Sequence, residues 1–136
     1  PVLFGGGDMA ADLGVAMAWE PLFFARSQIV AACAAANKPA IDVPYLNVND
    51  EAGLIAETER VKQLGFQAKA CIHPAQVQPV NQVFTPSAQD IAHAERVIAA
   101  LDAAGGGAAL LDGKLIEAPI IRRARRVLEA ARAAHS

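Results

Sequence analysis

Apolar positions along the chain fall into short solid runs and longer one-sided stripes, and the two alternate. Residues 2–4 are an apolar run stopped by Gly5, Gly6 and Gly7, which reads as a short buried strand. After a turn through Met9 to Gly14, the stretch EPLFFARSQIVAACAAAN reads as a helix. Pro21 fits its first turn, and Asn37 with Pro39 marks its stop. PAIDVPY reads as a second strand over residues 40–43, its apolar run closed by Asp42 and Pro44. Asn49 or Asp50 then suits the N-cap of a helix whose Leu54, Ile55, Thr58, Val61 and Leu64 form one apolar stripe, and Gly65 suits its C′ position. A third strand, residues 68–72, is closed by His73 and Pro74.

Strand and helix thus alternate three times, which argues for parallel strands joined by crossover helices. The pattern changes beyond them. FTPSAQDIAHAERVIAALDAAGGG reads as a capped amphipathic helix, with Thr85 or Ser87 at its start and a flexible triple glycine at its end. ALLDGKLIE reads as a small hairpin, because Asp112 and Gly113 are the residue types a type I′ turn requires. Pro119, as first helical residue, opens a last helix, PIIRRARRVLEAARAA. The expected division is residues 1–85, carrying the strand–helix units, and residues 86–136, an appended segment.

Composition supports this picture and removes several others. The chain has 136 residues, 54% of them hydrophobic and 19% charged, enough for a packed domain and too apolar for disorder. A net charge of -2 gives no support for generalised nucleic-acid or anionic-membrane binding. No 18 apolar residues run together and no basic n-region precedes an apolar stretch, so neither a membrane span nor a signal peptide is expected. The start, almost inside a strand and without Met, suggests the remnant of a longer chain. Cys33 and Cys71 sit in apolar contexts and are expected as buried thiols of a cytoplasmic protein rather than a disulfide; with no CxxC, zinc is not expected.

The chemistry concentrates at GGGDMA. It formally satisfies the dinucleotide pattern G-x-G-x-x-A, but that fold wants an acid about 20 residues on, at the end of the next strand. Here that strand ends much later, at Asp42, and Asp8 would repel a pyrophosphate. The other reading uses Asp8 itself as an oxygen ligand for a hard cation at the C-terminal end of a strand. Backbone N–H groups of Gly6, Gly7 and Asp8 could then cap a substrate carboxylate. The plain alternative makes Asp8 a helix N-cap. His73 is expected as a buried structural histidine and Lys69 as pointing outward; Asp42 reads equally as an acid at the same strand-end face as Asp8 or as a turn or cap acid. Arg26 and Ser27 are expected on a helix in surface or packing roles. Arg122, Arg123, Arg125 and Arg126 spread over more than one helix face, which suits a solvated surface better than a nucleic-acid patch.

LFGGGDMAADLG, ARSQIVAACAAANKPAIDVPY, LGFQAKACIHPAQVQPVNQVFTPS and DGKLIEAPIIRRARRVL, in that order and spacing, resemble the citrate lyase β-subunit/malyl-CoA lyase family, the CitE-like branch of the HpcH/HpaI aldolases. IHPAQ joined to FTPS is the most specific part. The resemblance implies the last three βα units of a TIM (β/α)8 barrel followed by a C-terminal helical lid with a small hairpin. It also implies a Mg2+-dependent carbon–carbon lyase acting through an enolate on a 3-hydroxyacyl thioester of malyl-CoA, citramalyl-CoA or citryl-acyl carrier protein type. Asp8 falls on the family's Asp ligand for Mg2+; the partnering Glu and an arginine that contacts substrate would precede this sequence. The lid's acid, an Asp in the family's motif, is here Glu117 in GKLIE, implying a catalytic group inserted into a neighbouring subunit of a homo-oligomer. A degenerate, non-catalytic subunit that binds CoA or a partner chain is the alternative, since Glu117 departs from that motif.

Overall fold

In the computed structural model, which describes residues 1–105 and 108–134, Val2 and Leu3 pair in parallel with Ala40 and Ile41. Ile41 and Asp42 pair in the same sense with Ala68 and Lys69. The sheet order is β1 (Val2–Leu3), β2 (Ala40–Asp42), β3 (Ala68–Lys69). Because all three run the same way, the chain leaves every strand at one end, and each exit feeds helical structure. The strands are shorter than expected, since only these residues complete ladder pairs.

Between β1 and β2 lie two helices where one and a turn were expected. Helix α1 (Gly6–Leu13) forms because Met9, Ala10, Ala11 and Leu13 are good helix formers, and Gly14, at φ 66°, closes it in the left-handed conformation. Helix α2 (Trp19–Ala35) follows, with Pro21 in its first turn and Asn37 at φ 51° beyond its end. Helix α3 (Glu51–Leu64) starts where Asp50 Oδ1 accepts the N–H of Gly53 and ends at Gly65 at φ 108°. Its Leu54, Thr58 and Val61 are buried, the centre of the stripe the spacing predicts.

After β3 the chain makes a short 3₁₀ turn (Pro74–Gln76) and helix α4 (Val77–Phe84), which the sequence reading had not assigned. Pro79 is tolerated there because it falls in the first turn of α4. The core of this part is Phe4, Ala10, Leu22, Cys33, Ala40, Val43, Val61 and Phe66. Cys33 is buried as expected. Cys71 is exposed instead, because the β3 ladder stops before it.

The chain divides into two compact units, Pro1–Phe84 and Thr85–Ser136. The second is built from α5 (Ala88–Ala103), a hairpin of β4 (Leu110–Leu111) and β5 (Lys114–Leu115), and α6 (Ala118–Ala134). Ser87 caps α5 and exchanges hydrogen bonds with Asp90 in a capping box. Asp112 and Gly113 both take positive φ, 49° and 75°, as a type I′ turn requires. Ala118 is the first residue of α6, so Pro119 takes the second place rather than the first. Of the triple glycine, Gly106 and Gly107 lie outside the described residues. Val97, Ala109, Ile116 and Ala124 are at the centre of this unit's own core.

Candidate functional site

Gly6, Gly7 and Asp8 are the first three residues of α1, directly beyond the C-terminal end of β1. As the opening turn of a helix, their N–H groups have no intrahelical acceptor. Gly5, not Asp8, holds the N-cap position, and no side chain caps it. The plain N-cap alternative for Asp8 is therefore overturned: its carboxylate is exposed, in the third helical position. A Cβ placed on Gly5 would lie 3.5 Å from Asp8 Oδ2, so the carboxylate leans back over the turn it belongs to.

One exposed carboxylate of this kind fits the hard-oxygen chemistry of a divalent cation such as Mg2+ as a single ligand. Among the described residues no three His, Cys, Asp or Glu side chains come together to hold a metal ion. Asp8 is thus suited to one place in a coordination shell.

Glu117 follows β5 and precedes the first residue of α6. Its carbonyl accepts the N–H groups of Ile120 and Ile121, the first bonds of α6, and its side chain is exposed. It belongs to the second unit, as Gly6, Gly7 and Asp8 belong to the first.

The largest departure from expectation lies behind the strand ends. Asp42 is fully buried and is no turn acid: its Oδ1 accepts from Arg26 Nε at 2.9 Å and its Oδ2 from Lys69 Nζ at 2.7 Å. Lys69 does not point outward. Its ammonium is buried and donates also to Glu57 Oε1 at 2.7 Å and to the carbonyl of Val43 at 2.8 Å. Arg26 is buried as well, with its guanidinium 4.9 Å from the Trp19 ring and 5.7 Å from the Phe4 ring. Among the described residues its Nη1 has no hydrogen-bond partner, a cost the two ring faces only partly offset. Two cations and two carboxylates therefore meet in a region largely closed to water, where removing any one partner costs far more than at a surface. Ser27, beside Arg26, turns back to donate to the carbonyl of Phe23 at 2.9 Å.

Gln76, the last residue of IHPAQ, is buried and ties together two of the loops on the Asp8 end of the sheet. Its Nε2 donates to the carbonyl of Tyr45, beyond β2, at 2.8 Å, and its Oε1 accepts from Ile72 N, beyond β3, at 2.9 Å. The motif itself was the only signal for it in the sequence. His73 caps the 3₁₀ turn, Nδ1 accepting from Ala75 N at 3.2 Å, and is exposed rather than buried. Tyr45 donates to Asp50 Oδ2 at 2.6 Å. That bond holds the Asp50 carboxyl below its ordinary value and pushes the Tyr45 hydroxyl above its own. A cavity of about 180 Å3 beside Arg26, Tyr45 and Glu57 does not include Asp8. Arg122, Arg123, Arg125 and Arg126 are all exposed, as expected, and no helix among the described residues is long and apolar enough to cross a membrane.

Comparison with known proteins bears on this arrangement. The sequence profile described as HpcH/HpaI aldolase/citrate lyase matches residues 1–74. The citrate lyase subunit beta of Haemophilus influenzae is 44% identical over 114 residues, 82% of this chain and 39% of that protein. The mitochondrial citramalyl-CoA lyase of Homo sapiens is 36% identical over 129 residues, 91% of this chain and 38% of that protein. This chain therefore spans about two fifths of the length of these relatives. The crystal structure of CitE from Mycobacterium tuberculosis, in complex with magnesium, acetoacetate and coenzyme A, superposes with a TM-score of 0.77 at 29% identity. The match covers 95% of this chain and 51% of that one.

Proposed function

The chain belongs to the HpcH/HpaI aldolase/citrate lyase family, and on that premise we propose that it carries part of a Mg2+-dependent lyase cleaving or forming a carbon–carbon bond in a 3-hydroxyacyl thioester. Its fold is the corresponding one, part of a TIM barrel followed by a helical segment with a hairpin. The substrates that suit the relatives' chemistry are malyl-CoA, citramalyl-CoA and citryl thioesters.

The observation that carries the reading is the position of Asp8, exposed in the first turn of α1 directly beyond a parallel strand. Ligands gather at that end of strands in barrels of this kind. Asp8 supplies one oxygen ligand, and a second carboxylate comes from outside these 136 residues. When bound, Mg2+ supplies Lewis-acid polarisation of the α-keto fragment. The N–H groups of Gly6, Gly7 and Asp8 orient that fragment's carboxylate at the positive end of α1. Glu117, presented on the exposed shoulder of α6 to a neighbouring subunit of a homo-oligomer, moves the proton to and from the enolate carbon.

The test is Mg2+-dependent cleavage of malyl-CoA and citramalyl-CoA by the full chain. Asp8→Ala is expected to lower kcat by about a hundredfold or more. Activity unchanged in that variant removes Asp8 from the mechanism. The second reading, a non-catalytic CoA-binding subunit, is favoured by Glu117 standing in place of the shorter Asp. Tight CoA binding without turnover, unaffected by Glu117→Asp, would establish it instead.

A further inference from the structure

We infer that Lys69, acting through Val43, is a positioning residue for the Asp8 carboxylate, an inference that rests on the metal role proposed above for Asp8. Gly6, the first residue of α1, is buried against two side chains. A Cβ built on it would lie 3.0 Å from Val43 Cγ1 and 3.1 Å from the Phe4 ring. The opening turn of α1 is therefore seated on Val43 and Phe4. Asp8 stands two residues further round the same turn, and its direction follows how that turn sits.

Both walls of the seat are gripped from behind. Lys69 Nζ donates to the Val43 carbonyl at 2.8 Å, and the Arg26 guanidinium lies 5.7 Å from the centre of the Phe4 ring. Lys69 and Arg26 are themselves joined on Asp42, at 2.7 and 2.9 Å. Val43 follows Asp42 directly, so one short stretch of chain carries both the anchor of the cluster and one wall of the seat. The Lys69 side chain is fully buried, and its three acceptors, Asp42, Glu57 and the Val43 carbonyl, match its three donors. An ammonium with all its protons committed cannot slide without leaving one unpaired in a dry site, so the Val43 carbonyl is held in one place.

A buried ion pair adds little stability over apolar packing of the same volume. Geometric definition is what it does add, and a metal ligand needs that most. Supporting groups behind a metal ligand typically change metal affinity or activity by about 10–100-fold when removed.

The test measures Mn2+ binding by electron paramagnetic resonance and thioester cleavage on the full chain, with circular dichroism reporting the fold. Val43→Ala removes one wall of the seat and leaves all four charges in place; Lys69→Met removes the grip. Both are expected to weaken Mn2+ binding and lower kcat by about tenfold or more, with KM for the thioester little changed. Lys69→Arg, which keeps a donor beside the Val43 carbonyl, is expected to recover part of the loss. If Lys69→Met does not fold, Val43→Ala decides alone. Mn2+ binding and kcat unchanged in Val43→Ala, while Asp8→Ala loses both, overturn the inference and leave the proposed function standing. Mn2+ binding unchanged in Asp8→Ala overturns the metal role, and the inference with it.

Discussion

Replacing Asp42 by Asn would leave Arg26 and Lys69 buried with one anion, Glu57, between them. Asp42→Asn is expected to destabilise the chain by about 3–5 kcal/mol, measured as the shift in urea unfolding free energy. That is a large share of the ~5–15 kcal/mol typical of a whole protein. The Tyr45–Asp50 bond gives a different signature, because both groups must be in the right state: phenol protonated, carboxyl ionised. Asp50 is lowered from its ordinary 3.8, so its contribution is complete above that value and is lost as pH falls through the lowered one. Tyr45 is raised from 10.0, so its contribution is complete below that value and is lost as pH rises through the raised one. The stability gap between the chain and Tyr45→Phe is therefore expected to be level between these limits and to close beyond each; urea unfolding at acid, neutral and alkaline pH would show it. Neither Lys69 nor Asp42 could be assigned from local pattern. They lie 27 positions apart and meet only because β3 pairs beside β2.

Elements whose ends are written in residue chemistry were legible. Asp50 caps α3, Gly65 ends it, Ser87 opens α5, and Asp112-Gly113 turns the hairpin, each through a bond or dihedral that few residue types can supply. Gly65 combines two demands: a φ of 108° and Val30 Cγ1 only 2.9 Å from where a Cβ would stand. Gly65→Ala is expected to lower stability by more than about 1 kcal/mol, seen as a lower urea midpoint at unchanged slope. The two elements missed, α1 and α4, carry misleading punctuation. Gly6 and Gly7 open the first behind Gly5 at its N-cap, Pro79 sits inside the second, and all read as breakers until the register places them at helix starts.

At the scale of the whole molecule, β1 and β3 are both edges of an open three-stranded parallel sheet. Leu3 is 58% exposed, Phe24 68% and Ile72 52%, and large apolar surface of this kind calls for a covering partner. These 136 residues alone are accordingly expected to associate or precipitate. Native mass spectrometry showing a soluble, stable monomer of this length would count against that expectation. All-parallel sheets are ordinarily covered on both faces, and this chain spans about two fifths of the length of its relatives.

The amino-acid sequence by itself determined the alternation of strand and helix and most of the caps, and it singled out the Gly6–Asp8 turn as a candidate. These depend on neighbours within a few positions, where backbone sterics and the apolar period act directly. Tertiary structure alone decided that Asp42 and Lys69 are buried partners, that Gln76 ties two loops, and that Val43 and Phe4 seat the turn carrying Asp8. Each of those contacts joins separate elements across the sheet, and strand pairing, which no local pattern encodes, brings them together.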